Sequence, residues 1–160
     1  MNSNVNTRRR MILKGGFAAG AVSAAIGAGL LSPRSVLASW PATAFEAKSV
    51  DAALKDMLGS DQTSASSDIT IKAPDIAENG AVVPITVSST IPGVTRIAIF
   101  AEGNPTPLTG SYDLGPGAKA FISTRIKMGK TSNVVAVVKA DGKLYSAKKE
   151  VKVTIGGCGG

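Results

Sequence analysis

Val134-Val135-Ala136-Val137-Val138-Lys139, then Asp141-Gly142, then Leu144-Tyr145-Ser146-Ala147-Lys148-Lys149-Glu150-Val151-Lys152-Val153-Thr154-Ile155, reads as two strands closed by a tight turn. β-Branched residues fit a pleated, half-buried surface. Asp-Gly suits the left-handed backbone that a two-residue hairpin requires. In the second strand Tyr145, Ala147, Val151, Val153 and Ile155 share one face, and Ser146, Lys148, Glu150, Lys152 and Thr154 share the other. That alternation belongs to a strand with one side on a core.

Upstream of this hairpin, short β-rich runs separated by turn residues recur at 69–72, 81–88, 95–102, 111–113 and 120–126. With 134–139 and 144–155 they make about seven strands, which predicts a mainly β, two-sheet antiparallel sandwich. Pro84 inside an otherwise good strand points to an edge or a bulge, because proline has no N–H for the ladder.

Before the strands, Thr43 and Glu46 form a capping-box pair, and Phe45, Val50, Leu54 and Leu58 follow at near-helical spacing up to Gly59. One amphipathic helix is expected there. Its apolar stripe needs a surface, either the chain's own sheet or a partner. The Ser/Thr-rich residues 61–68 read as a linker.

The first residues carry an address. Arg9-Arg10-Met11-Ile12-Leu13-Lys14 fits the twin-arginine export pattern, followed by an uncharged stretch with five glycines and by Val36-Leu37-Ala38, a small-residue cleavage site. A permanent transmembrane helix fits this stretch poorly. The expected organisation is therefore a twin-arginine signal peptide at 1–38, helix and linker at 39–68, sandwich at 69–155 and a terminal arm at 156–160, with the protein in the periplasm. Removing the five basic residues at positions 8, 9, 10, 14 and 34 leaves 18 − 5 = 13 basic against 11 acidic residues, so the net charge falls from +7 to +2. The basic character lies mostly in the signal. No basic patch interleaved with aromatics remains to bind nucleic acid, and no membrane association is expected after cleavage.

The arm holds the chain's single cysteine, in Gly156-Gly157-Cys158-Gly159-Gly160. Glycine costs the most entropy to order, so this segment is expected to be flexible and to present the thiol outward. With one cysteine and no histidine, an intrachain disulfide, a Cys-Xaa-Xaa-Cys motif, a Cys-His nucleophile and a cysteine/histidine zinc site are all excluded. No haem motif or dinucleotide loop is present, so no cofactor is expected. The twin-arginine route exports folded cargo, and without a cofactor site the remaining reason for it is a partner bound before export. Lys148, Lys149 and Lys152, near the root of the arm, read either as an attraction for anionic sulfur species or as an ordinary solvated strand face.

Residues 151–160, Val-Lys-Val-Thr-Ile-Gly-Gly-Cys-Gly-Gly, together with Thr124-Arg125-Ile126-Lys127-Met128 and the twin-arginine signal, closely resemble the SoxY family. Its members are the sulfur-carrying subunits of the bacterial periplasmic thiosulfate-oxidising (Sox) system. The resemblance implies an immunoglobulin-like sandwich, a heterodimer with a SoxZ-like subunit, and Cys158 as the covalent substrate carrier. It further implies that a haem enzyme joins thiosulfate to Cys158 as a cysteine thiosulfonate, that a hydrolase releases sulfate, and that a molybdenum-haem sulfane dehydrogenase oxidises what remains. The chain is then a carrier acted on by enzymes, not an enzyme. Gly156, Gly157, Gly159 and Gly160 would supply flexibility and slimness. A free cysteine titrates near about 8.5, so activation must come from the receiving pocket. Two other readings stand beside it: a carrier using a Gly160 thiocarboxylate, and an export-pathway binding module whose cysteine forms an interchain disulfide.

Overall fold

Val94–Ala101 and Ser132–Ala140 are apolar almost without interruption, a pattern that only a strand covered on both faces can use. A computed structural model describes residues 42–154 and shows what covers them. Nine strands form two sheets: β1 Ser64–Ala65, β2 Ile69–Lys72, β3 Ile76–Ala77, β4 Val83–Ser89, β5 Val94–Ala101, β6 Leu108–Asp113, β7 Phe121–Ile126, β8 Ser132–Ala140 and β9 Lys143–Val153. The larger sheet runs β1-β9-β8-β5-β6, with β3 also paired to β9, and the smaller runs β2-β4-β7.

The inward faces of both sheets make the main core. Ile97, Ile99 and Ala101 of β5, Val134, Ala136 and Val138 of β8, and Val151 of β9 meet Val83, Ile85 and Val87 of β4. The intervening residues Ala98, Phe100, Val135 and Val137 point the other way and are equally buried, under the helices. The mainly β, immunoglobulin-like sandwich expected from the sequence is the observed fold, with a helical layer added outside the larger sheet.

That layer answers one open question and corrects one expectation. Among the described residues there are two helices, α1 Ala42–Glu46 and α2 Val50–Leu58, where a single helix starting at Thr43 was expected. Thr43 lies within α1, and Ser49 begins α2: its extended backbone and its Oγ, accepting from Ala52 N–H at 3.2 Å, make it the N-cap, with Asp51 in the first turn. A serine in that conformation satisfies the backbone outside the helix and so interrupts a continuous one. The apolar stripe lies on the protein's own sheet: Ala53 and Leu54 are buried against Phe100, Leu108, Val135 and Leu144.

All seven expected strands are present, with ends shifted by a few residues. The hairpin turn is left-handed at both Asp141 (φ 47°) and Gly142 (φ 75°), as an Asp-Gly turn should be. Pro84 sits where β4 has run past the last β2 partner, Thr86↔Lys72, and pairs with β7 alone. It therefore occupies a local edge. Residues 61–68 are more than a linker, since Ser64 and Ala65 pair in parallel with Tyr145 and Ser146. The export signal, the cleavage point after Ala38, the end of the last strand at Ile155, and the arm residues Gly156, Gly157, Cys158, Gly159 and Gly160 lie outside the described residues.

Candidate functional site

The described part of the site is the mount from which residues 155–160 depart. β9 reaches it through an antiparallel ladder with β8 that runs from Ala140↔Lys143 to Ser132↔Val151. Past Ser132 the β8 backbone turns away, and a side chain continues the pairing. Thr131 Oγ1 accepts from Val153 N–H at 2.9 Å and lies 3.4 Å from the Val153 carbonyl, to which it donates. One hydroxyl thus replaces the missing strand on that side.

On the opposite side β3 runs parallel to the end of β9, with Ile76 paired to Lys152 and Ala77 to Val153. Lys152 N–H donates to Asp75 O at 3.0 Å, and Thr154 N–H to Ala77 O at 3.1 Å. Thr154 Oγ1 adds a longer bond to Glu78 O at 3.3 Å. Gly80 then passes directly beneath. A Cβ there would sit 2.7 Å from Val153 Cγ1 and closer still to the Met128 carbonyl oxygen, so only glycine lets the two backbones approach. Met128 N–H donates to Gly80 O at 2.7 Å, closing the mount from below. The chain is therefore held on both sides as far as Val153, by the Thr131 hydroxyl on the β8 side and by backbone hydrogen bonds on the β3 side, where the hold continues through Thr154.

The three lysines near this mount have separate tasks. Lys148 pairs with Glu102 at 2.7 Å. Burial raises the Glu102 pKa, but Lys148 and the Asn133 amide, 2.9 Å away, outweigh it and hold the carboxyl below its ordinary value. Lys149 shares the β9 face of Val151 and Val153. Its ammonium reaches out to Ala73 O at 2.7 Å and Asp75 at 3.1 Å, tying the approach to β3. Lys152 is exposed and has no ion-pair partner among the described residues. All three lie near the root of the arm in sequence; in the structure two of them form internal ties.

Among the described residues no group of three or more His, Cys, Asp or Glu is placed to hold a metal ion, and no helix is long and apolar enough to cross a membrane. What the described residues offer here is a hydrogen-bonded end of β9 from which the chain continues. Thr131, Gly80 and the β3 segment were missed in the sequence. A two-residue strand is too short to show a period. The only available signal was the turn chemistry around it, Pro74 before and Asn79-Gly80 after.

Comparisons with known proteins give this arrangement a context. No curated protein matches the chain. Among solved structures it is similar to the sulfur carrier protein SoxY from Chlorobium limicola f thiosulfatophilum, at 50% identity over 69% of this chain and 96% of that one, with a TM-score of 0.62. It is also similar to a superoxide reductase (neelaredoxin) from Ignicoccus hospitalis, at 23% identity over 54% of this chain and 79% of that one, with a TM-score of 0.48; nothing further rests on that likeness. A family profile for the sulfur oxidation protein SoxY matches residues 54–158. That match runs from within α2 through all nine strands to Cys158, and it agrees with the two-sheet fold and with the half-identical structure: the chain belongs to the SoxY family.

Proposed function

We propose that this protein carries sulfur intermediates covalently on Cys158 during thiosulfate oxidation in the periplasm, after export by the twin-arginine route, as one subunit of a heterodimer with a SoxZ-like partner. The observation that carries the reading is the extent of the family match, which ends on Cys158 itself. A mount that holds β9 as far as Val153 and Thr154 supports it, because a covalent carrier needs a fixed base from which to extend a thiol.

The chemistry is ordinary for a thiolate. Cys158 sulfur and the outer sulfur of thiosulfate form an S–S bond, and the two electrons released pass to a haem enzyme, leaving a cysteine thiosulfonate. Water then attacks the sulfonate sulfur, and the bond between it and the outer sulfur breaks while the bond to Cys158 stays. Sulfate departs with two protons released, and a persulfide remains on the cysteine. A sulfane dehydrogenase would oxidise that remaining sulfur. The chain itself catalyses none of these steps. Its part is to present the sulfur in turn to several different pockets, which slim glycines on both sides of the cysteine permit.

The test is intact mass of the heterodimer after incubation with thiosulfate and the haem enzyme. One thiosulfate unit should appear on this chain and be removed by reductant. Cys158→Ser should show no addition and no thiosulfate-dependent turnover while still folding and binding its partner. Turnover persisting in Cys158→Ser well above a reaction lacking this protein would sink the carrier role.

A further inference from the structure

Three large apolar side chains are substantially exposed among the described residues: Ile76 (58%), Val82 (50%) and Phe121 (55%). Two of them stand together. Ile76 is in β3, and Val82 follows the Asn79 turn, in which Ala81 N–H donates to Asn79 Oδ1 at 2.9 Å and Val82 N–H to Asn79 O at 3.3 Å. With Pro74 and Pro84 they line a shallow groove of about 270 Å³. Phe121 lies away from it, at the other end of β7 opposite Ser88, whereas Pro84 pairs with Arg125.

The groove borders the mount. Ile76 is the register partner of Lys152, two residues before Thr154, the last residue held by β3. Cys158 is four residues past Thr154, so its backbone lies within roughly 13–14 Å of that anchor even when fully extended. An enzyme that takes the sulfur into a pocket uses most of this length for depth. Its body must therefore rest on the surface around the end of β9, where Ile76 and Val82 are the large exposed apolar groups.

The way the groove is built also selects a mode of contact. β3 and the first residues of β4 both have open edges that invite strand addition. Pro74 and Pro84 stand at those edges without N–H groups, which blunts them against pairing. An apolar cleft that resists strand pairing accepts side chains; Glu78 lines it, and Asp75 and Lys152 are neighbours of Ile76 in sequence and in register. An apolar centre with a charged rim is the anatomy of a protein docking site.

We infer that the groove between Ile76 and Val82 is the docking surface for the enzyme that attaches thiosulfate to Cys158, and that it receives an apolar side chain from the rim of that enzyme's pocket. The inference rests on the carrier reading of Cys158 and adds where the enzyme sits.

The experiment uses the complete heterodimer carrying Ile76→Ser with Val82→Ser, and in parallel Phe121→Ser as a control of equal exposure. The measurements are KM and kcat of the haem enzyme for the carrier, alkylation of Cys158 by iodoacetamide, and co-elution of the partner subunit. The double variant should raise KM by roughly tenfold, the loss expected when a small apolar anchor is truncated, with kcat, alkylation and co-elution unchanged. Phe121→Ser should leave all four unchanged. An unaltered KM, an equal KM rise in Phe121→Ser, or loss of the partner subunit from the double variant would each overturn the inference; the last would assign the groove to the heterodimer. Failure of the carrier reading shows separately, as turnover retained by Cys158→Ser.

Discussion

Replacing Thr131 by Val keeps nearly the same volume and removes the hydroxyl that holds the end of β9. The bond from Val153 N–H, at 2.9 Å, has ordinary length, while the one to the Val153 carbonyl, at 3.4 Å, is at the limit and adds little. One effective hydrogen bond contributes about 0.5–1.5 kcal/mol net, and because the site is exposed, water takes its place without leaving a buried orphan. Opening at Val153 should then become between about two and about ten times more frequent. Native-state amide exchange followed by NMR reads this directly. Val153 should lose protection by that factor, while Thr154, bonded to Ala77 O on the other side, and Val151, in the core, should change less. Thr131→Ser, which retains the hydroxyl, should restore Val153. Unchanged exchange at Val153 would refute the claim that a side chain completes the β9 ladder. An equal loss of protection throughout β8 and β9 would also refute it, by showing global destabilisation instead of a local release.

Leu54→Ala removes a side chain that is 2% exposed beneath α2 and should cost roughly 2–5 kcal/mol in urea unfolding of the isolated chain; a change near zero would mean that the helix stripe serves another surface. Glu102→Gln should destabilise by less than about 1 kcal/mol near neutral pH, since its ion pair with Lys148 is partly exposed. Because the folded-state pKa of Glu102 lies below its ordinary value, its contribution is present above the ordinary carboxylate range and is lost as pH falls through and below it. The difference between wild type and variant should therefore shrink between neutral pH and about pH 3, and a difference that grew in acid would reverse the assignment. Replacing Arg9 and Arg10 by Lys should leave uncleaved precursor in the cytoplasm, as read by immunoblot of cell fractions, while the wild-type product should begin at or near Ser39; normal export of the variant would remove the twin-arginine assignment.

Much of the fold was legible because its information is local. The Asp141-Gly142 turn and the alternation in β9 each need only a few adjacent residues, and the backbone adopted both as read. The uninterrupted apolar run of β8 was recognised as a strand, but its reason was not. Val135 and Val137 are apolar because α2 covers the face opposite the sandwich core, and coverage by a distant segment leaves no mark at the covered position. The helix boundary was misread for a related reason. Thr43 and Ser49 are both competent caps, and which one begins the longer helix depended on where the chain bends to lay Ala53 and Leu54 on the sheet.

The candidate site divides along the same line. Cys158 and its flanking glycines are matters of residue type and order, and so is the family they indicate, which the profile match bears out. The mount is different. Thr131, Val153 and the segment from Ile76 to Gly80 are separated by tens of residues and become neighbours only when β8 begins at one place and β3 arrives at another. A hydroxyl standing in for a strand, a glycine required by a backbone crossing beneath it, and an isoleucine left in solvent beside a chain exit are properties of contacts. Residue type sets what each group is able to do, whereas its neighbours in space set what it does, and for these positions the neighbours are supplied by strand pairing between segments distant in the chain.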